Sequence, residues 1–307
     1  MKKVLVFGIG GFVGKYLADE FLDNGYEVIG SDIKNSILLP SKVKFYKCDL
    51  MNTNDVLEIM HKIKPNMIVN LAAISSVGNS WDDPQMTIMA NVVGAINILE
   101  AARKLDKMPK VMLIGSSEEY VPSNKPINEK TKLNANNPYG ISKETQEKFV
   151  KLYREQYRMK IYYVRPFNHT GIGQKDSFVL PSFCKQVAEI EKSGKSGIVR
   201  VGNLKIKRDF SHVKDIVRAY RMIIESDNYS KVYNVGSGIA YELDEMLQYV
   251  VSLSNQDITV EIDSTRVRPI DTPIICCDRS LIKKEIGWEP KYTVFDALKE
   301  MVEDYLK

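Results

Sequence analysis

Val4-Leu5-Val6-Phe7-Gly8-Ile9-Gly10-Gly11-Phe12-Val13-Gly14 decides how the rest of the chain is read. Four apolar residues in a row read as a buried strand, and glycines at 8, 11 and 14 follow at once. Val13, Leu17 and Phe21, with Leu22, then recur at helical spacing. Glycine lets a backbone turn sharply and approach a pyrophosphate, and the helix start behind it offers free N–H groups and a positive dipole end. A glycine pattern alone is weak. With a strand before it and a helix after it, Gly8, Gly11, Phe12, Val13 and Gly14 read as a dinucleotide-binding turn, the bland alternative being a structural strand–helix connection.

The alternation continues outward from this unit. Tyr26-Glu27-Val28-Ile29, Val43-Lys44-Phe45, Met67-Ile68-Val69-Asn70-Leu71, Val111-Met112-Leu113-Ile114 and Ile161-Tyr162-Tyr163-Val164 read as further strands. Between them lie a helix carrying Val56, Leu57, Met60 and Ile63 that Asn52 or Thr53 can cap, a long helical stretch from about Pro84 to Leu105, and a helix from Pro138 to Met159. Continuous apolar strands alternating with amphipathic helices predict an α/β fold whose parallel sheet is covered on both faces. After Arg165-Pro166 the alternation loosens, and loops dominate Phe167 to Phe210. Asp215 to Ile224 reads as a helix, Val232-Tyr233-Asn234-Val235 as a strand, and the stretches near Leu243–Leu253 and Phe295–Leu306 as helices. The predicted plan is a Rossmann-type doubly wound parallel sheet with a smaller C-terminal substrate-binding domain. Residues 1–166 form the dinucleotide-binding part and 211–237 return to it, while 167–210 and 238–307 form the second portion. There is no internal repeat and no low-complexity segment.

Asp32 ends the second strand, eighteen residues beyond Gly14. A carboxylate there accepts hydrogen bonds from the adenosine ribose and repels a 2′-phosphate, which favours NAD(H) over NADP(H). Lys34 nearby weakens that preference, so NADP(H) stays open as the alternative. Asp49-Leu50, at the end of the third strand, suits adenine contact, with a turn-capping aspartate as the bland reading. Tyr139-Gly140-Ile141-Ser142-Lys143 places a tyrosine and a lysine one turn apart on a helix face. The lysine charge favours the phenolate and is expected to lower the tyrosine pKa into a range useful for acid/base chemistry. Ser116-Ser117-Glu118-Glu119-Tyr120 follows the fifth strand, where parallel sheets form their ligand crevice. There Ser116 can hydrogen-bond a reacting oxygen beside Tyr139, and Glu118 is a second candidate acid/base. The candidate catalytic set is Ser116, Glu118, Tyr139 and Lys143.

The glycine loop, Asn70-Leu71-Ala72-Ala73, the serine after the fifth strand and the Tyr139/Lys143 pair together resemble the extended short-chain dehydrogenase/reductase family. That family includes nucleotide-sugar epimerases, dehydratases and reductases, and the resemblance covers essentially the whole chain. It implies that Leu71, Ala72, Ala73 and Pro166 join the cofactor contacts and that Lys143 holds the nicotinamide ribose. Two positions depart from the family pattern: Phe7 stands where Thr usually precedes the first glycine, and Val121 where Gly usually follows the tyrosine of the serine loop.

Further strings narrow the resemblance. They are Ser75-Ser76-Val77 before Ser80-Trp81, Pro84 and Asn91; Arg165-Pro166-Phe167-Asn168-His169-Thr170-Gly171; Ser177-Phe178-Val179; Val201-Gly202-Asn203-Leu204; Lys207-Arg208-Asp209-Phe210; and Arg268-Pro269-Ile270-Asp271. Together they are similar to the GDP-mannose branch, its 4,6-dehydratases and, more closely, its GDP-4-keto-6-deoxy-D-mannose reductases. The resemblance implies a GDP-linked sugar as substrate, met by Ser76, Val77, Ser117, Asn168, Val179, Arg208, Arg268 and Asp271. The residue chemistry agrees: Asn168 has amide donors for phosphate oxygens, and Arg208 and Arg268 carry planar forks suited to a diphosphate, surface ion pairs being their plain alternative. His169 reads as a packed histidine rather than a base, because Tyr139 fills that role. The leading expectation is reduction of the C4 ketone of a GDP-4-keto-6-deoxy-hexose with NAD(P)H. A 4,6-dehydratase with bound NAD is the alternative, a nucleotide-sugar epimerase stands behind it, and a non-catalytic dinucleotide sensor is disfavoured by the intact Tyr/Lys pair.

Composition excludes other classes. The 307 residues carry 43 Lys plus Arg against 39 Asp plus Glu, a net charge of +4 too small for a dedicated nucleic-acid binder. The short run Lys205, Lys207, Arg208 lacks the interleaved aromatics of a single-strand RNA surface. No apolar run is expected to approach the roughly 18 residues of a membrane span, and Met1-Lys2-Lys3-Val4 lacks a signal peptide's cleavage site. Cys48, Cys184, Cys276 and Cys277 fit neither a disulfide framework nor a zinc motif. No metal is expected, and buried thiols, the adjacent Cys276 and Cys277 included, suggest a reducing, cytoplasmic setting. The apolar helices around Met86–Leu105 and Thr145–Tyr157 suggest a partner surface, and the resemblance implies a homodimer through a four-helix interface.

Overall fold

The structure, a computed structural model, describes residues 1–34, 39–266 and 272–307. Its first half alternates strand and helix: β1 (Lys3–Phe7), α1 (Phe12–Asp23), β2 (Glu27–Asp32), β3 (Lys44–Lys47), α2 (Thr53–Ile63), β4 (Met67–Asn70), α3 (Val77–Asp82), α4 (Pro84–Ile88), α5 (Gly94–Arg103), β5 (Lys110–Ile114), α6 (Pro138–Tyr157) and β6 (Ile161–Pro166). The second half contains β7 (Asn168–Thr170), α7 (Val179–Ser193), β8 (Gly197–Val201), β9 (Lys207–His212), α8 (Val213–Glu225), β10 (Val232–Val235), β11 (Ala240–Glu242), α9 (Leu243–Val251), β12 (Ile258–Ile262), β13 (Ile274–Ile275), α10 (Ser280–Ile286) and α11 (Val294–Leu306).

Seven strands form one sheet in the order β10-β6-β5-β4-β1-β2-β3, and every pairing in it is parallel. β1 lies at the point where the strand order reverses, with Val6 opposite Gly30 of β2 and Phe7 opposite Asn70 of β4. Alternation along β1 feeds two cores. Val4 and Val6 face α1 and α8 with Leu17, Phe21, Ile216 and Tyr220, whereas Leu5 and Phe7 face α2 and α5 with Val56, Met60, Ile98 and Leu99. Phe7 thus stands where a hydroxyl would be usual because here it fills the second core. Asn52 caps α2 by accepting the Asn54 N–H at 3.0 Å.

Three expectations need correction. The stretch from Pro84 to Leu105 is not one regular helix: α4 and α5 are joined by a π-helical turn over Met89–Val93. Here Gln146 Nε2 donates to the carbonyl of Asn91, and the Asn91 side chain turns away to grip Ile74 and Ser142. Side-chain donors that draw on a helix's carbonyls break its regular ladder. This stretch, Pro84–Arg103, is also long and apolar enough to cross a membrane, contrary to the expected absence of such a run, although half of it is buried inside the protein. Finally, loops do not dominate 167–210. α7 has fifteen residues, with Leu180, Phe183, Cys184, Val187 and Ala188 buried at helical spacing. Together with Val199 and Val201 of β8, its face packs on α9 and α11 in a third core.

The chain after β9 returns to the large sheet. α8 packs on α1, and β10 adds beside β6, with Tyr233 opposite Val164. Trp288, fully buried in the same core, donates its indole N–H to the Asp215 carbonyl at 3.1 Å. The Asp215 carboxylate accepts the backbone N–H groups of Lys291 and Tyr292 at 2.9 Å and an Arg218 guanidinium N–H at 2.7 Å. Truncating a buried tryptophan costs about 3–5 kcal/mol in general, so this anchor is large beside a domain's net stability of about 5–15 kcal/mol. The smaller sheet has the order β11-β9-β13, with β7 also on β9, and β8 pairs separately with β12. All four cysteines are free thiols; Cys277 is buried, but Cys276, just after β13, is only half-buried, contrary to the expectation that both are buried.

Candidate functional site

The glycine turn leaves β1 through Gly8, at φ +74°. A Cβ on Gly8 would lie 2.4 Å from the backbone nitrogen of Ala72, and one on Gly14 would lie 2.0 Å from the Ile9 carbonyl oxygen. Any side chain at either position would drive backbone from backbone. Gly11 caps α1 without any side-chain bond, so the N–H groups of the first turn, at Phe12 and Val13, face no capping side chain. An uncapped helix start with its dipole exposed suits a pyrophosphate. Asp32 Oδ2 accepts the Gly10 N–H at 3.0 Å, which draws the carboxylate at the end of β2 to the same turn. On the other side Leu71 donates its N–H to the Phe7 carbonyl at 2.9 Å and Ala72 to Asn70 Oδ1 at 3.1 Å, with Ala73 following. These residues fit a dinucleotide at the carboxyl ends of β1, β2 and β4. Asp49 caps its own turn, its Oδ1 accepting the Met51 N–H at 2.9 Å, while Leu50 packs against Gly94.

Ser116 and Tyr139 come together beyond the end of β5. Asn137 opens α6 by accepting the Gly140 N–H at 2.9 Å, with Pro138 at its first position, which puts Tyr139 in the first turn and Lys143 one turn on. Ser80 Oγ accepts the Tyr139 N–H at 3.2 Å. The Ser116 hydroxyl accepts the Glu118 N–H at 3.1 Å and lies beside the Tyr139 phenol, whose pKa it lowers. Glu118 Oε2 accepts an Asn137 amide N–H at 2.9 Å, so that carboxylate is tied to the helix start.

The electrostatics differ from the expectation that Lys143 lowers the Tyr139 pKa. Burial holds the Tyr139 phenol well above its ordinary value, with the Ser116 hydrogen bond opposing and the charges of Glu118 and Glu119 adding to the rise. Lys143 Nζ lies 5.8 Å from the Tyr139 ring centre and donates to the Ile114 carbonyl at 2.7 Å. Its own pKa is pushed down to about 8 by burial, with Glu119 opposing. The lysine is therefore aimed at backbone, and desolvation outweighs its charge on the phenol.

The sugar-side residues are spread more widely. Ser76 caps α3, accepting the Asn79 N–H at 3.2 Å, and Val77 begins that helix. Ser117 is buried beside Ser116; Pro166 ends β6, Asn168 begins β7 and Val179 begins α7, partly exposed. Arg208 Nη1 donates to the carbonyls of Lys207 at 2.9 Å and Thr272 at 2.6 Å, so this part of its fork is bound to backbone. Arg268 and Asp271 lie outside the described residues. His169 is packed: its ring stacks on Phe12 at 6.1 Å, Nδ1 lies 3.1 Å from the Phe167 carbonyl, and burial lowers its pKa. Lys207 of the basic run lies 3.4 Å from Glu242. Among the described residues no His, Cys, Asp or Glu cluster could hold a metal ion.

Sequence reasoning assigned no role to Ser80, Asn91, Ser142, Glu119 or Tyr163. Asn91 is fully buried; its Oδ1 accepts the Ile74 N–H at 2.8 Å and its Nδ2 donates to Ser142 Oγ at 2.8 Å, joining the loop after β4 to α6. The available signal was an amide inside an apolar helical stretch, since a buried polar group needs partners.

The chain is similar to known proteins over nearly its whole length. The family model described as GDP-mannose 4,6 dehydratase matches residues 5–301. GDP-6-deoxy-D-mannose reductase of Pseudomonas aeruginosa is 25% identical, the alignment covering 99% of this chain and 97% of the relative. A GDP-mannose 4,6-dehydratase of Vibrio cholerae is 27% identical over 100% and 94% of the two chains. The solved structure of RMD from Pseudomonas aeruginosa complexed with NADPH superposes with a TM-score of 0.88 at 25% identity, covering 100% of this chain and 99% of that one.

The buried lysine makes stability depend on pH. The folded pKa of Lys143, about 8, lies below its ordinary value of 10.5. Between these values the unfolded chain binds more protons than the folded one, so stability rises with pH across that window. Lys143→Met removes the buried charge at the expense of one hydrogen bond to Ile114. In the cofactor-free protein it should be more stable than wild type by about 1–3 kcal/mol at pH 7, and the gap should close between pH 8 and 10. Urea melts at several pH values measure this, and a gap independent of pH would refute it.

Proposed function

The chain belongs to the GDP-mannose 4,6 dehydratase family, and on that premise we propose that it is a nucleotide-sugar oxidoreductase. The proposed reaction reduces the C4 ketone of a GDP-4-keto-6-deoxy-hexose with NAD(P)H. The observation that carries this reading is the buried Tyr139 phenol, set beside Ser116 beyond the end of β5 and one helical turn from Lys143. A protonated phenol at rest is a proton donor, which is what ketone reduction requires. When bound, the nicotinamide supplies the hydride.

The protein's own groups do the rest. Tyr139 gives its proton to the C4 oxygen as negative charge develops there, and Ser116 holds that oxygen in line. Lys143, one helical turn after Tyr139, holds the nicotinamide ribose. The N–H groups at Phe12 and Val13, with Gly8, Gly11 and Gly14 giving access, hold the pyrophosphate; Asp32 takes the adenosine ribose, Asp49 and Leu50 border the adenine, and Leu71, Ala72, Ala73 and Pro166 line the rest. Ser76, Val77, Ser117, Asn168, Val179, Arg208, Arg268 and Asp271 are assigned to the GDP-sugar. The division into a dinucleotide part (1–166 with 211–237) and a sugar part (167–210 with 238–307) is supported by β10 beside β6 and α8 against α1. Four free thiols support a reducing, cytoplasmic setting.

A second reading is the 4,6-dehydratase. It is favoured by Glu118, whose carboxylate sits at the mouth of α6 on Asn137 and could take a C5 proton. It requires Tyr139 to act first as a base, against the rise in its pKa. Two incubations separate the readings. With the 4-keto-6-deoxy sugar, the reductase consumes NADH or NADPH stoichiometrically; conversion of GDP-mannose with NAD and no net change in cofactor would overturn it. Tyr139→Phe should lower kcat by about 10²–10⁴-fold, and full turnover in that variant would remove the proton-donor role.

The Asp32 carboxylate favours NAD(H), with NADP(H) as the alternative, because it meets a 2′-phosphate with like charge. Asp32→Ala should raise KM for NADH and narrow the preference over NADPH by about tenfold or more; an unchanged ratio would cancel the ribose assignment. A homodimer through the faces of α4–α5 and α6 is supported by the exposure of Met86, Leu152 and Tyr157. Sedimentation should give twice the chain mass, and monomer alone at micromolar concentration would reject the dimer.

A further inference from the structure

Behind the serine lies a carboxyl that the proposed chemistry does not use. Glu119 is fully buried at the end of the short 3-10 turn Ser117–Glu119. Its Oε1 accepts the Ser116 N–H at 2.7 Å and lies 3.2 Å from the Tyr163 hydroxyl, which itself lies 2.7 Å from the Lys143 carbonyl oxygen. A carbonyl only accepts and a phenol has one hydrogen, so Tyr163 donates to Lys143. At 3.2 Å the same hydroxyl faces Glu119 Oε1 as its longer, secondary acceptor.

An arginine-centred cluster packs beside this carboxyl. Arg165 Nε and Nη2 donate to Glu147 Oε2 at 2.9 and 2.5 Å, and Nη1 donates to the Tyr120 hydroxyl at 2.6 Å. That hydroxyl donates to Asn234 Oδ1 at 2.7 Å. The same guanidinium lies 3.4 Å from Glu119 Oε2, so Glu119 and Glu147 face one cation. Burial raises the Glu119 pKa to about 8. The facing groups are Arg165 and Tyr163 of β6, Glu147, Lys143 and Tyr139 of α6, and Tyr120 of its own loop. Gly115 makes the approach possible: a Cβ there would sit 2.4 Å from Glu119 Oε1 and 2.6 Å from the Tyr163 ring.

We propose that Glu119 is a positioning residue: its carboxyl clamps the Ser116 backbone on one side and, through Tyr163, the Lys143 backbone on the other, setting the serine and lysine in register around Tyr139. It touches neither sugar nor cofactor. The inference rests on the reading of Ser116, Tyr139 and Lys143 as the reacting groups.

The test compares Glu119→Ala, Glu119→Gln and Tyr163→Phe with wild type in whichever of the two reactions above the wild type performs, together with amide hydrogen exchange over 115–120. Glu119→Ala should lower kcat ten- to a hundredfold with KM changed less than threefold, and should speed exchange at Ser116 at least tenfold. Glu119→Gln can still accept from Ser116 and should restore both to within threefold. Tyr163→Phe cuts only the lysine arm and should lower kcat severalfold while exchange at Ser116 stays as in wild type. Wild-type kcat and exchange in Glu119→Ala would overturn the clamp. Should Glu119→Ala not fold, Glu119→Gln with exchange at Ser116 raised tenfold, or Tyr163→Phe with wild-type kcat, would overturn it instead. A wild type that turns over neither sugar would overturn the functional reading, and the exchange measurement would still decide the clamp.

Discussion

The site depends on one close approach, that of the Gly8 backbone to Ala72, where a single added carbon would lie 2.4 Å from the amide nitrogen. The turn after β1 and the loop after β4 can share the crevice only because nothing projects from Gly8. That crevice lies where the order of the parallel strands reverses, so connections diverge on either side of it and leave a cleft at the carboxyl ends. With the turn in place, Asp32 is drawn to Gly10, the start of α1 stays uncapped by side chains, and the loop after β4 meets the dinucleotide crevice.

Around this cleft the fold buries polar groups and gives nearly all of them partners. An unpartnered buried group costs about 1–3 kcal/mol, so the Asn91 amide, Ser80, Ser142 and Glu119 each impose a geometry as well as fill space. Asn91 binds the loop after β4 to α6, and Asn137 binds the start of α6 to Glu118. These contacts come from different parts of the sequence and converge on Tyr139. The π-helical turn at Met89–Val93 accompanies one of them, since the same asparagine bonds outward with both its side chain and its carbonyl.

Burial also decides the charges. A Tyr–Lys pair four residues apart suggests a lysine that acidifies a phenol. The folded protein instead removes both from water, raising one pKa and lowering the other. Desolvation wins because Lys143 Nζ points to the Ile114 carbonyl rather than to the phenol oxygen. This arrangement keeps the phenol in its protonated form in the cofactor-free protein.

The sequence by itself determined the strands of the first half, its helices α1, α2 and α6, the glycine turn and the Tyr139/Lys143 spacing. Each of these is written in local periodicity or in residues that must stand a fixed number of positions apart. It was less legible after Pro166, where α7 has a clear helical period in Leu180, Phe183, Cys184 and Val187 but is flanked by short strands and polar loops that hide it. Glu118 was readable as a polar residue after β5, whereas its buried neighbour Glu119 was not, because adjacent carboxylates look alike in a string of letters. Only the tertiary structure separated them, placing Glu118 on Asn137 and Glu119 beneath Ser116 and beside Arg165. The physical reason is that burial and hydrogen-bond partners across 44 or more residues, as between Glu119 and Tyr163, belong to packing and not to spacing.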